Sequence, residues 1–196
     1  MNAKTEQKEK SHDTILESAS RLLRERGISG ARVAEVMKGA GLTVGGFYAH
    51  FGSKEELIDG ALRLTANGLR TRLFARLDEK PAAVRAEVIL KRYLSAAHRD
   101  ETIRGCPLPA VVGEIGTTAP EYRPVLEEQV ERLVAGLEEH LPDPRDGVTR
   151  RHLALAMVAL MYGGLSMARA FRGTPLSDEF LKACRAVGKL AITVDS

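Results

Sequence analysis

The segment Gly41–Leu57, GLTVGGFYAHFGSKEEL, decides the fold. It sets Gly45 and Gly46 directly before Phe47, Tyr48, His50 and Phe51. Such a pair belongs either to a phosphate-cradling loop or to a helix that tolerates glycine. GLTVGG has neither the G-x-G-x-x-G spacing nor a following Lys-Ser/Thr, and no strand pattern precedes it, which excludes a nucleotide loop. A short helix is the better reading: Thr43 is placed to cap it, and Phe47 and Phe51 form an i, i+4 pair facing inward. Ser53–Glu56 (SKEE) then reads as a capping box, with the Ser53 hydroxyl accepting from a backbone N–H while Glu56 reaches back. A long helix starts there and is expected to run to about Leu77.

The same periodicity extends in both directions. Ile15, Leu16, Ala19, Leu22 and Leu23 mark one face of a helix that Gly27 stops in the manner of a C′ glycine. Val33, Val36, Met37 and Ala40 repeat the spacing over a shorter helix that ends at Gly41. Downstream, Pro81 opens a helix through about Arg99 with Val84, Val88, Tyr93 and Leu94 among its apolar positions. GCPLPAVVGEIG gives a short helix, and Pro120–Leu141 one that is charged on one side. PDPRDG is a turn-rich connector; 147–172 and 176–194 are the last two helices. No run alternates as a strand would. The expected fold class is all-α, about nine helices. An N-terminal helix-turn-helix three-helix domain (residues 1–53) precedes a larger C-terminal helical domain (residues 54–196).

Composition narrows the class further. With 44% hydrophobic and 28% charged residues the chain is globular and not disordered. The net charge of +3 permits nucleic-acid binding without arguing for it, and residues 1–60 carry nine Lys/Arg against nine Asp/Glu. Binding would depend on where charges sit. Two cysteines make neither a disulfide framework nor a metal set, which suits a reducing compartment. The polar start MNAKTEQKEKSHD contains no signal core, so a cytoplasmic location is expected. The apolar run Leu153–Ala168 falls short of the roughly 20 residues that span a bilayer. Arg150, Arg151, Arg169 and Arg172 flank it, so it reads as a core or subunit-interface helix with no membrane partner.

A helix, a turn of about three residues and a second short helix make a helix-turn-helix, whose second helix can present its N-terminal residues to base edges in the DNA major groove. VAEVMKGAGLTVGGFYAHFGSKEELI resembles the DNA-binding signature of TetR-type transcriptional repressors: the AG turn, the hydrophobic-Tyr-x-His-Phe run and the following SK-x-x-L stand at the right distances. The resemblance covers about Ile15–Leu62. It implies that Thr43, Val44, Gly45 and Gly46 face the bases, that Tyr48 contacts phosphate with a thymine methyl within reach, and that His50 and Lys54 contact phosphate. Phe47 and Phe51 would be core. Where such regulators carry Ser or Thr at the start of the second helix, this chain has Ala31 and Arg32, and Arg32 is the candidate phosphate contact by charge. Residues 44–46 offer almost no side-chain hydrogen bonding, which weakens a donor code. The plainer readings are that Tyr48 and His50 cap a small core and that Lys54 is a solvated charge.

Other chemistry is sparse. The five histidines fall in five different segments, no Cys/His/Asp/Glu cluster has zinc spacing, and no nucleophile elbow occurs. No catalytic residue, metal site or cofactor is expected. Cys106, in RGCPLP, is either a small buried apolar residue or a redox or electrophile sensor whose thiol Arg104 and a helix start at Pro107 activate. Tyr93, His98, Met157, Met161 and Tyr162 are candidate lining of an effector pocket, or plain core. The wide apolar faces of the last two helices, with Gly163, Gly164 and Ala168, suggest a two-fold homodimer. The expected function is a dimeric repressor of a palindromic double-stranded DNA operator, released by a small-molecule or redox signal. The alternatives are a helical small-molecule-binding protein with a non-functional DNA-binding domain, and a helical enzyme.

Overall fold

The computed structural model describes residues 3–101, 105–143 and 147–193. Among these the fold is all-α: nine α-helices, two short 3-10 turns and no strand. The chain divides into two compact units, Met1–Gly68 with Thr102–Gln129, and Leu69–Glu101 with Val130–Ser196. This division differs from a cut after residue 53, because a later stretch of chain returns to pack with the N-terminal helices.

In the first unit α1 (Ala3–Gly30) begins well before Ile15, and Gly27 interrupts it with φ 70° and ψ −170°. The break expected at that glycine is present; a further helical turn follows it. α2 (Val33–Gly39) and the 3-10 turn Val44–Ala49 come next, then α3 (Lys54–Phe74). Side chains stitch these together. The buried Ser18 hydroxyl donates to the Val36 carbonyl at 2.9 Å, and Ser20 donates to the Ala61 carbonyl at 3.2 Å. Arg24 donates to the Thr65 hydroxyl at 3.1 Å. The capping box is formed at the start of α3: the Glu56 N–H donates to Ser53 Oγ at 3.1 Å, and the Gly52 N–H donates to Glu56 Oε2 at 2.7 Å. The core of this unit joins Ile15, Ala19, Leu23, Val36, Met37, Phe47, Phe51, Leu57 and Ile58 to Val111, Ile115, Tyr122 and Val125. The last four come from α6 (Leu108–Thr117), the 3-10 turn Pro120–Tyr122 and the start of α7 (Arg123–Glu138).

In the second unit the single helix expected from Pro81 to Arg99 is two. α4 (Ala82–Tyr93) ends where Leu94 takes φ −91° and ψ 51°, and α5 (Ala96–Asp100) restarts under a Ser95 cap whose hydroxyl accepts from the His98 N–H at 3.1 Å. Val84 is exposed and not an inward position, whereas Tyr93 and Leu94 are buried. α8 (Arg150–Ala170) has 21 residues, so the apolar run lies in a helix long and apolar enough by length and composition to cross a membrane. Leu153, Ala154, Met157, Met161, Gly164, Leu165 and Ala168 are its buried positions, and it packs with α9 (Pro175–Ile192), α4 and α5. Gly164 allows close approach, since a Cβ there would lie 2.7 Å from Cys184 Sγ. Arg99 ties α5 to α9 through Ser177 Oγ at 2.9 Å and Asp178 at 2.6 Å.

His98 gives this unit a pH dependence. Its Nδ1 lies 2.7 Å from the Tyr93 carbonyl and its ring meets the Tyr93 ring edge-on. Burial is the largest influence and lowers its pKa to about 4; the Tyr93 carbonyl and Glu101 oppose this, and Arg169 and Arg72 add to it. The folded chain therefore holds His98 neutral where the unfolded chain, near 6.5, would protonate it. Its contribution is fully present above pH 6.5 and is lost as pH falls towards 4, at up to about 1.4 kcal/mol per pH unit. Replacing His98 with Asn should flatten the pH dependence of the urea unfolding midpoint between pH 6.5 and 4 relative to the unsubstituted chain.

Candidate nucleic-acid interface

Within Gly41–Leu57 the chain folds as a turn too short to stand alone. Val44–Ala49 is a 3-10 helix, not the α-helix expected, and Thr43 occupies the N-cap with φ −81° and ψ 147° but makes no side-chain cap bond. The Gly46 N–H donates to the Thr43 carbonyl instead, at 3.1 Å. Two glycines in succession explain the tight turn's weakness as an α-helix, since glycine has little to gain from helical order. What holds the turn is Phe47, only 2% exposed, stacked on Phe51 with ring centroids 5.8 Å apart.

Around that anchor the candidate contact residues point outward. Tyr48 is 78% exposed and Val44 52%; Thr43 and Arg32 are exposed as well. Arg32 stands at the N-cap of α2 without a cap bond from its side chain. Lys54 is half-buried as the first residue of α3, where free backbone N–H groups and the positive end of the helix dipole favour an anion. Gly45 and Gly46 are not demanded by the chain's own packing. A Cβ at 45 would meet nothing within 4 Å, and one at 46 would be in ordinary contact with Met37 Cε at 3.9 Å and Thr43 Oγ1 at 4.0 Å. Neither has a left-handed φ.

His50 is half-buried, and its ring Nδ1 is enclosed without a hydrogen-bond partner. Burial first, then His12 and Lys8, lower its pKa, so it is held neutral to lower pH than an ordinary histidine. The structure thus adds a neighbour that the sequence reading did not single out. The His12 ring stacks on Phe51 at 4.4 Å and lies 6.3 Å from the His50 ring, so that Tyr48, Phe47, Phe51 and His12 form a continuous run of ring contacts. The signal was available: positions 8, 12, 15 and 19 share one helical face once α1 is extended towards Ala3.

The remaining candidates lie elsewhere. In the second unit Tyr93, Met157 and Met161 are 1% exposed, while His98 and Tyr162 are half-buried. Tyr93 and His98 belong to α4 and α5, both of which contact α8, the helix of Met157, Met161 and Tyr162. Cys106 is fully buried just ahead of Pro107, the N-cap of α6; Arg104 lies outside the described residues. Among the described residues no group of three or more His, Cys, Asp or Glu side chains is placed to hold a metal.

Known proteins carry the same arrangement. The family described as bacterial regulatory proteins, tetR family, matches residues 15–61. The transcriptional repressor KstR2 of Mycobacterium tuberculosis is 42% identical over 62 residues, which is 32% of this chain and 29% of KstR2. The chain therefore matches less than a third of that relative's length. In fold the likeness is broader. Reduced NemR of E. coli superposes with a TM-score of 0.81 at 22% identity over 95% of this chain and 99% of NemR. A TetR transcriptional regulator from Chloroflexus aurantiacus gives 0.79 at 23% identity over 94% and 95%. Residues 15–61 thus match the tetR family of bacterial regulatory proteins, and the all-helical fold is shared along nearly the whole chain with solved TetR regulators.

Proposed function

We propose that the chain is a dimeric, sequence-specific DNA-binding repressor in the cytoplasm, reading a palindromic operator and releasing it on a small-molecule or redox signal. The carrying observation is the 3-10 turn itself: Phe47 is buried as an anchor while Tyr48, next in sequence, is 78% exposed beside two glycines that packing does not require. Exposed aromatic surface and missing side chains have a common explanation in a partner that approaches the backbone closely. In the major groove, Thr43, Val44 and DNA shape would carry specificity more than paired donors. The division of labour would be DNA binding in residues 1–53 and effector binding with dimerisation in residues 54–196.

A second copy of this chain is the proposed occupant of the outer face of α9. Leu176, Phe180, Ala183, Val187 and Leu190 are spaced 4, 3, 4, 3 along it. Leu176, Val187 and Leu190 are 41%, 56% and 69% exposed, whereas the opposite face buries Ser177, Leu181 and Gly188. Paired with exposed Leu155 and half-buried Tyr162 of α8, this stripe fits a four-helix contact about a two-fold axis. Tyr93, His98, Met157, Met161 and Tyr162 are the proposed effector surroundings. Cys106 is the residue of the redox branch.

The deciding experiment selects a duplex from a random pool with the full chain and titrates binding against salt. Affinity should fall steeply as salt rises. Tyr48→Ala should cost about tenfold, and Lys54→Ala should reduce the salt slope by about one. Gly45→Ala should leave the unfolding midpoint unchanged or higher yet weaken the selected duplex, and Gly45→Arg should change the sequence selected. Equal binding to random DNA, insensitive to these changes, favours a small-molecule-binding protein with a non-functional DNA-binding domain. For assembly, Val187→Glu combined with Leu190→Glu should convert a sedimenting dimer to monomer; a dimer that persists places the contact elsewhere. For the redox branch, Cys106 is fully buried and must be uncovered before it can react; a reaction with a disulfide probe slower than that of free cysteine leaves the small-molecule branch alone.

A further inference from the structure

At the end of α1 lies a long-range contact that the DNA-facing surface does not include. Gly27 breaks the helix, and such a break frees the backbone N–H groups of the residues that follow. Two of them are taken by one carboxylate from α6. The Ile28 N–H donates to Glu114 Oε1 at 2.8 Å, and the Ser29 N–H donates to Glu114 Oε2 at 2.9 Å. Hydrogen bonds to an ionised acceptor are about twice as strong as neutral ones, and a two-point grip also fixes direction. Gly27 is needed twice over. Its φ is left-handed, and a Cβ there would stand 1.8 Å from Glu114 Oε1 and 2.9 Å from the Ala110 carbonyl oxygen.

The gripped turn lies directly upstream of α2, which leads into the reading turn. The Ala31 N–H donates back to the Ile28 carbonyl at 3.2 Å, and Arg32 then caps α2, its carbonyl accepting from the Val36 N–H at 2.9 Å. α2 carries Met37, whose Cε reaches to within 3.9 Å of a Cβ position on Gly46. We propose that Glu114 is a positioning residue of the DNA-reading head: from α6, outside the matched residues 15–61, its carboxylate fixes the direction in which α2 leaves α1 and so the placement of Val44–Tyr48. The inference rests on the DNA-binding reading above.

The test uses the full-length chain, the duplex it selects from a random pool, and a scrambled duplex of equal length and charge. Glu114→Ala removes both acceptors; Glu114→Gln keeps one carbonyl oxygen and loses the charge. Amide exchange at Ile28 and Ser29, followed by NMR, should accelerate about tenfold or more in the Ala variant. Affinity for the selected duplex should fall about tenfold while the scrambled duplex stays within about twofold, because no phosphate contact has been removed. Glu114→Gln should fall between the Ala variant and the unsubstituted chain on both readouts. Faster exchange with unchanged selected-duplex affinity overturns the positioning role, and so does an equal loss on both duplexes. If Glu114→Ala does not fold, Glu114→Gln decides alone: faster exchange at Ile28 or Ser29 with full selected-duplex affinity overturns the proposal. An unsubstituted chain that selects no duplex overturns the DNA-binding reading itself, and this inference with it.

Discussion

The burial of Phe47 is the constraint on which the reading surface depends. A six-residue 3-10 turn containing adjacent glycines has no stability of its own, because helix nucleation is unfavourable and glycine loses more freedom on ordering than any other residue. Sinking one aromatic ring into the core formed by α1, α2, α3 and α6 contributes on the order of 2–3 kcal/mol, and the stacked Phe51 adds to it. Everything exposed on the turn, from Thr43 to Tyr48, is displayed at the expense of that one inward residue. The arrangement separates duties by position: rigidity comes from below the surface, and the surface can be nearly bare.

Local chemistry was legible in the sequence where the partner lay within a turn or two. Ser53 and Glu56 cap α3, Gly27 and Gly41 take positive φ, and Phe47 and Phe51 are buried as a pair. The α4–α5 break was not read, since Tyr93, Leu94 and the apolar positions before them continue a helical pattern; only the Ser95 cap announces the restart. Thr43 stands where a cap should but bonds nothing with its side chain, because the turn winds as 3-10 and its backbone carbonyl takes the Gly46 N–H. His12 escapes a periodicity reading because the apolar face of α1 begins at Ile15, although the polar residues before it continue the same face.

Long-range chemistry was not legible at all. Glu114 sits in a short helix of Gly, Pro and small apolar residues, and nothing in GCPLPAVVGEIG says that its carboxylate belongs to backbone amides 85 and 86 residues earlier. The same holds for packing: the compact unit that contains the N-terminal helices also recruits Val111, Ile115, Tyr122 and Val125 from much later in the chain. Core membership is decided by which faces meet in three dimensions, and periodicity reveals only that a face exists.

The Gly27–Glu114 contact also limits how this chain can drift. A side chain at position 27 collides with a carboxylate oxygen, and loss of that carboxylate strands two amides that the glycine's break has exposed. Neither position is free to vary alone. A chain that lost one would have to change the other and let α1 run straight, so the two sites, far apart in sequence, act as a single structural unit.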